Sequence, residues 1–404
     1  MTTSSPQKKK IYQRVSWLLL AIAVIGLIRL APILVTPQVI ASDDYLRFWA
    51  GGRLNLHGEN PYDLAHISQL QVEAGDTLSN QNSLMLNPPW AIALIMPFGL
   101  PAYPISRVIW LLISAALILL ASQMLWRVYS GEQKQRWLAM LIVFIFAPTI
   151  STLEKGQVTS FILLGIAGFL YFTVITRNDW LAGLFLAIST IKPQLILLFF
   201  IALIFWIIHE RRWIILLSMI AATLALTLVS TLFNPYVIQQ YLSMLVTYQV
   251  SDWAVPTFGS YLRYFWLGLD QFWLQFLPFL LGLIWFIFYW KRYGNQWNWA
   301  EQMPIILLVS ILTSPYAWTY DLVVLLPAVI LAVIWLIADW KSWSSILLLA
   351  LFLLINFLDL VLHMKLDEFW FIWLAPALFI WYLAVRWKVS RIQDKPYTSK
   401  VQVS

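Results

Sequence analysis

Cysteine is absent and charge is scarce: Asp, Glu, Lys and Arg make up 11% of the 404 residues, against about 25% in soluble domains. The first absence excludes disulfides, thiolate catalysis and cysteine-based metal sites. The second, with 61% hydrophobic residues and apolar runs near twenty residues recurring from end to end, excludes a string of soluble domains. There is no Asp-x-Asp diphosphate–metal motif, no glycine-rich phosphate cradle and no nucleophile elbow, which argues against nucleotide-sugar chemistry and ATP-driven transport. None of the four histidines, His57, His66, His209 and His363, is read as forming a metal pair with Asp or Glu, so neither a metal nor another cofactor is expected. No internal repeat or low-complexity tract is evident.

What remains is a polytopic membrane protein, all-α because a backbone in hydrocarbon must satisfy its own hydrogen bonds. Trp and Tyr, 24 and 17 in number, gather where apolar runs meet polar links, as interface anchors do. The net charge of +7 is read as the positive-inside bias of cytoplasmic links and not as a nucleic-acid surface. Lys8, Lys9, Lys10 and Arg14 precede an apolar run over 17–35, read as a retained first helix leaving the cytoplasm. A large extracytoplasmic loop over 36–87 follows, with amphipathic pieces at 45–56 and 64–72 suited to the membrane surface. The run 88–101 is too short to span and suits a re-entrant or surface helix. Placing the basic links (Arg127 to Arg136, Arg177, Arg211 and Arg212, Lys291 and Arg292, Lys341) inside requires an outer turn at Lys192-Pro193. The result is about twelve transmembrane helices in one domain, a second outer loop over 234–261, a cytoplasmic tail over 387–404, and both termini in the cytoplasm. That topology collects Asp43, Asp44, Pro88-Pro89, Gln157, Lys192, Ser314-Pro315-Tyr316 and the segment 363–368 on one side.

Asp43 and Asp44 are adjacent, so on a helix they diverge by about 100° and at most one faces a site. Asp44, followed by Tyr45 and Phe48-Trp49, is the better general-base candidate, with Asp43 as the cap; both stay on the catalytic list. Lys192 interrupts a long apolar stretch and needs a partner or a wet pocket. Asp321, just inside another run, is a functional candidate on the same ground, with helix capping as the plainer alternative. Arg263, at a loop-to-helix junction, has the fork that suits a phosphate, though interfacial arginines are common.

The ordered motifs resemble polyprenol-phosphate-dependent glycosyltransferases of the GT-C architecture, and glycosyltransferase family 87 in particular, whose members include mannosyltransferases. The acid after helix one, the aromatic pair, the small-residue helix and the Gly-x-Asn-Pro-Tyr turn correspond to Asp44, Phe48-Trp49, Ala50-Gly51-Gly52 and Gly58 to Asp63. Asn87-Pro88-Pro89-Trp90, Gly156-Gln157, Ala182-Gly183, Lys192-Pro193 and Ser314-Pro315-Tyr316-Ala317-Trp318 follow in the family's order. Where the family often has a histidine after Ser-Pro-x-x-Trp, this chain has Tyr320-Asp321.

The resemblance implies an inverting transfer of a mannose-like hexose from a polyprenyl-phosphate sugar to an acceptor hydroxyl of a glycolipid or glycan. The site would lie on the extracytoplasmic face of a bacterial plasma membrane. Asp44 would be the base, Lys192 and Arg263 would hold the lipid phosphate, and Gln157, Tyr62, Trp49, Asp321, Tyr316 and Arg47 would complete the substrate site. The alternative is a transporter or flippase of a lipid-linked sugar, which predicts inverted repeats.

Overall fold

The structure is a computed structural model that describes residues 43–76, 84–248 and 253–393. The expected first helix, part of the first loop and the end of the tail lie outside these residues. Among those described there is no strand. Helices α1 (Tyr45–Leu56) and α2 (Leu64–Glu73) belong to the first polar segment, and α3 (Pro89–Ile95) follows the Pro-Pro pair. Next come α4 (Tyr103–Val128), α5 (Trp137–Ile145), α6 (Ala147–Glu154), α7 (Thr159–Tyr171), α8 (Asp179–Ser189), α9 (Leu197–Glu210) and α10 (Trp213–Phe233). The second long link carries α11 (Val237–Thr247) and α12 (Phe258–Leu262). The last helices are α13 (Leu277–Tyr293), α14 (Trp299–Thr313), α15 (Leu326–Ala338), α16 (Trp343–His363) and α17 (Leu374–Gln393).

Eight of the described helical segments are long and apolar enough to cross a membrane, or nine if α5 and α6, bent at 71°, form one span. The expected number of about twelve also counts α8 and α14, which are shorter apolar helices, and the run over 17–35, which lies outside the described residues. The bend between α5 and α6 falls at Phe146, whose backbone is extended (φ −73°, ψ 104°), and Pro148 sits in the first turn of α6, where its missing N–H costs nothing.

Burial ranks the spans. The segment Thr319–Ala338 is 78% buried over its apolar window, whereas Trp213–Phe233 is 17% buried. Both are apolar all round, so one is core and the other faces lipid. The residues after Ser314-Pro315 therefore enter the middle of the bundle.

Helix α1 is not a surface helix: nine of its twelve residues are buried. Tyr45, Leu46, Phe48 and Trp49 put bulk on several faces at once, so the helix packs inward. Trp49 Nε1 donates to the Pro101 carbonyl at 3.0 Å and Arg53 to the Gly99 carbonyl at 3.0 Å. Helix α2 does stay at the surface, with only Ile67 and Gln71 buried. It is capped by Asp63, which accepts from the Ala65 amide at 2.9 Å. Between them Gly58 (φ +75°) closes α1, and the Asn60 side chain accepts from the Tyr62 amide at 3.0 Å.

The decisive close approach is at Gly156, between α6 and α7. Its φ is +60°, and a Cβ there would lie 2.5 Å from Tyr45 Cβ and 2.9 Å from Asp43 Oδ1. Trp110 of α4 donates to the Gly156 carbonyl at 2.8 Å. Only glycine meets both the left-handed backbone and the contact with α1. Gly156→Ala is expected to cost about 1–3 kcal/mol from strain and displacement of α1. A thermal melt in detergent micelles that matches wild type would refute this.

Candidate active site at one end of the bundle

Asp43 and Asp44 do diverge. Asp43 turns inward: its carboxylate accepts from Arg107 Nε at 2.6 Å, from the Tyr103 hydroxyl at 2.5 Å and from the Tyr45 amide at 3.1 Å. Both side chains of the Asp43–Arg107 pair are 0% exposed. Arg107 continues to the carbonyls of Leu153 and Glu154 at 3.1 and 2.7 Å, clamping α1 and α4 to the end of α6. Burial pushes the Asp43 carboxyl above its usual range, while the Arg107 charge, the Tyr103 hydroxyl and the Tyr45 amide pull the other way. Asp43 is thus the helix cap and a buried anchor.

Asp44 points to the open side, with a side chain 24% exposed. It pairs with Arg47 one turn along α1 and accepts from the Gln157 amide. The Gln157 carbonyl oxygen in turn faces Lys192 Nζ at 3.3 Å, and Lys192 donates to Asp321 Oδ1 at 2.8 Å. Asp321 also accepts from Thr159 at 2.7 Å, and its second oxygen accepts from the Trp318 amide at 3.2 Å. One Asp321 oxygen thus caps the turn, and the other pairs with Lys192. The five candidates Asp44, Arg47, Gln157, Lys192 and Asp321 form one continuous polar chain across four separate parts of the sequence.

Local sequence explains the placement. Helix α8 ends at Ser189, and Pro193 starts a new short turn (Pro193–Ile196). Lys192, at the break, leaves the helical path (φ −130°, ψ 71°). An aromatic wall stands over it: Lys192 Nζ is 5.2 Å from the Tyr320 ring centroid, within cation–π range. Tyr320 and Trp318 stack at 6.0 Å with a 4° interplanar angle, and Trp253 meets Trp318 edge-on at 5.5 Å.

Three other candidates are spent in the framework. Trp49 is bonded to Pro101 as described, and the Tyr62 hydroxyl donates to the Asn87 carbonyl at 2.8 Å while its ring packs on Tyr241. Arg263 is fully buried, its donors directed to the Leu269 carbonyl at 3.1 and 2.5 Å and to Gln275 Oε1 at 3.0 Å. Tyr316 sits against Arg263. Burial pushes its hydroxyl up to about 12, with the Arg263 charge and hydrogen bond opposing. Among the described residues no group of three or more His, Asp or Glu is arranged to hold a metal ion.

Sequence reasoning missed Arg107 and Tyr103, the partners of Asp43, and the wall of Trp253, Trp318 and Tyr320. Arg107 carried a usable signal, being a charge two residues into the apolar run that starts at 105.

The model of glycosyltransferase family 87 matches residues 86–315, more than half of the chain. The chain belongs to glycosyltransferase family 87. Comparisons with curated proteins and with solved structures give no match. The family match spans Gln157, Lys192 and Ser314-Pro315, whereas Asp44, Arg47 and Asp321 lie outside it. The geometry joins the two sets. For a glycosyltransferase, an accessible carboxylate beside a lysine and an arginine, under an aromatic wall, is a workable active site.

The Lys192–Asp321 pair ties α7, α8 and the start of the central span together. Lys192→Met is expected to destabilise by about 3–5 kcal/mol, because it strands a buried carboxylate. The double variant Lys192→Met/Asp321→Leu should recover much of that loss. Additive losses in chemical denaturation would show that the two side chains do not act as a pair.

Proposed function

We propose that this family 87 glycosyltransferase moves a hexose of mannose type from a polyprenyl-phosphate sugar to an acceptor hydroxyl, with inversion and with Asp44 as general base. The observation that carries the reading is the asymmetry of the aspartate pair. Asp43 is enclosed and saturated by Arg107, Tyr103 and a backbone amide, whereas Asp44 is accessible and held by only Arg47 and Gln157.

In the reaction the acceptor oxygen attacks the anomeric carbon as the bond to the phosphate oxygen breaks. Asp44 takes the hydroxyl proton, and polyprenyl monophosphate leaves with the bonding pair. Lys192 and Arg47, both partly open, would neutralise the charge that develops on the phosphate. Arg263, given this role from sequence, is instead packed against Leu269 and Gln275. Gln157 keeps Asp44 and Lys192 in register by donating to one and accepting from the other.

An apolar groove of about 950 Å³ supports a lipid-borne donor. It is lined by Phe258, Tyr261, Phe265, Trp266, Leu281 and Thr313 among others. From Thr313 the chain continues through Ser314-Pro315 to Trp318 and Asp321, so one wall of the groove runs into the polar chain. A polyisoprenoid tail fits this surface, with its phosphate toward Lys192. The acceptor is a glycolipid or glycan hydroxyl, and the face used is the extracytoplasmic one, where the positive-inside rule puts this end of the bundle.

The test is sugar transfer from synthetic polyprenyl-phosphate mannose by purified protein in lipid. Asp44→Asn is expected to lose about 10²–10⁴-fold in turnover with donor binding retained, the usual worth of a general base. Asp43→Asn should instead lower stability by about 3–5 kcal/mol through the stranded Arg107. Wild-type turnover in Asp44→Asn would remove the base assignment. Intact donor crossing the bilayer without transfer would replace an enzyme by a transporter.

A further inference from the structure

Beside the polar chain lies a second charged group that the mechanism does not use. Glu368, at the turn between α16 and α17, places both carboxylate oxygens 2.8 Å from Thr319 Oγ1, with Oε2 3.3 Å from the Thr319 amide. His363, the last residue of α16, sets Nε2 3.1 Å from Thr319 Oγ1 and 3.5 Å from Glu368 Oε1. Its Nδ1 faces the Asp359 carbonyl at 3.0 Å and Asp359 Oδ1 at 3.1 Å, and Asp359 is 0% exposed.

Hydrogen-bond valence orders this group. The Thr319 hydroxyl has one proton, which goes to Glu368, so it can only accept from His363. The Glu368 carboxylate thus takes one bond from the hydroxyl and one from the amide. An ionised carboxylate offers about four acceptor positions, so about two remain, on a side chain that is 25% exposed. Two free acceptor positions on one rigid carboxylate match a pair of vicinal hydroxyls.

The location fits a sugar ring. Thr319 lies between Trp318 and Tyr320, whose parallel rings form the aromatic wall. The Tyr320 hydroxyl is within electrostatic reach of Asp44, Asp321, Arg47 and Glu368 alike. Asp44 and Glu368 thus both lie near the Tyr320 hydroxyl.

We infer that Glu368, held by Thr319 and His363, binds vicinal hydroxyls of the donor sugar and sets the enzyme's preference for the glycosylated lipid over the bare lipid phosphate. The inference rests on the donor reading above. Thr319 and His363 act as positioning residues, since neither needs to touch the sugar.

The test measures equilibrium binding of polyprenyl-phosphate mannose and of bare polyprenyl phosphate to the full chain in nanodiscs, for wild type, Glu368→Gln and Thr319→Val. Loss of charge-assisted hydrogen bonds is expected to weaken the mannosyl lipid about ten- to hundredfold in Glu368→Gln. The bare lipid phosphate should bind as in wild type, which also shows that the variant is folded. Thr319→Val, which releases the carboxylate, should show the same selective loss to a smaller extent. Equal loss of both ligands would assign Glu368 to the framework, and unchanged selectivity would remove it from the sugar site; either overturns the inference while leaving the donor reading intact. Failure of wild type to bind either lipid would overturn the donor reading and the inference with it.

Discussion

A lysine ammonium inside a run of apolar helices must be paired, and the pairing of Lys192 with Asp321 is the constraint around which the site is built. Leaving a lysine at mid-bilayer costs about 2.5–3.5 kcal/mol on insertion scales. The chain avoids that cost in two moves. Pro193 ends the preceding helix, so Lys192 lies at a break and not on a lipid-facing turn. Asp321, from the far half of the sequence, supplies the counter-charge at 2.8 Å. Because the other Asp321 oxygen caps the turn that leads into the most enclosed span, the same carboxylate fixes both the charge and the helix that carries it. Gln157 then has only one orientation that serves both neighbours: its carbonyl oxygen toward Lys192 and its amide toward Asp44. A position for Asp44 follows from a pairing three residues away in the hydrogen-bond chain.

The adjacent aspartates show how one helical turn can serve two purposes. Residues next to each other on a helix point about 100° apart, so a pair of acids at the start of α1 delivers one inward and one outward. The inward acid meets Arg107 in a pair that is wholly buried. Such a pair adds little net stability but is costly to break, so it fixes the start of α1 against α4 and α6. The outward acid inherits that rigidity without being saturated itself. Gly156, squeezed against Tyr45 and Asp43, closes the same joint from the other side and aims the next residue, Gln157, at the site.

Much of this was legible in the sequence, for a physical reason. In a chain this apolar each polar intrusion is expensive, so Asp44, Gln157, Lys192 and Asp321 stand out and assemble with Arg47 into one network. The all-helical membrane architecture follows from the same apolar composition, and family 87 from the order of the motifs. What composition cannot encode is where a donor is spent. Arg263 has the fork a phosphate would want, but Gly268 (φ +95°) turns the chain so that the Leu269 carbonyl consumes it. Trp49 and Tyr62 have the rings a sugar would stack on, yet packing of α1 and of the turn after it directs them to carbonyls of the framework. Trp318 and Tyr320 stand beside Lys192 instead, and their parallel stacking exists only once the turn after Ser314-Pro315 is folded. Helices α8 and α14 read as spans by hydropathy, but their lengths of 11 and 15 residues fall short of a comfortable crossing.

The segment from Thr313 to Asp321 also explains why an apolar groove and a charged site can work on one molecule. A substrate with a long apolar part and a reactive polar head gains little from binding the tail unless the head is delivered to fixed coordinates. Here the wall of the groove and the capping acid of the site are nine residues of one chain. That chain is pinned in the middle, where the Pro315 carbonyl accepts from Gln275 and from Thr257, and at its start, where Ser314 donates to the Gln194 carbonyl at 3.1 Å. Gln194 follows directly on Lys192-Pro193. The apolar wall, Lys192 and the aromatic face are therefore held to one another by short contacts to the backbone. On the proposed reading, binding energy gained along the groove is expressed as position at Asp44.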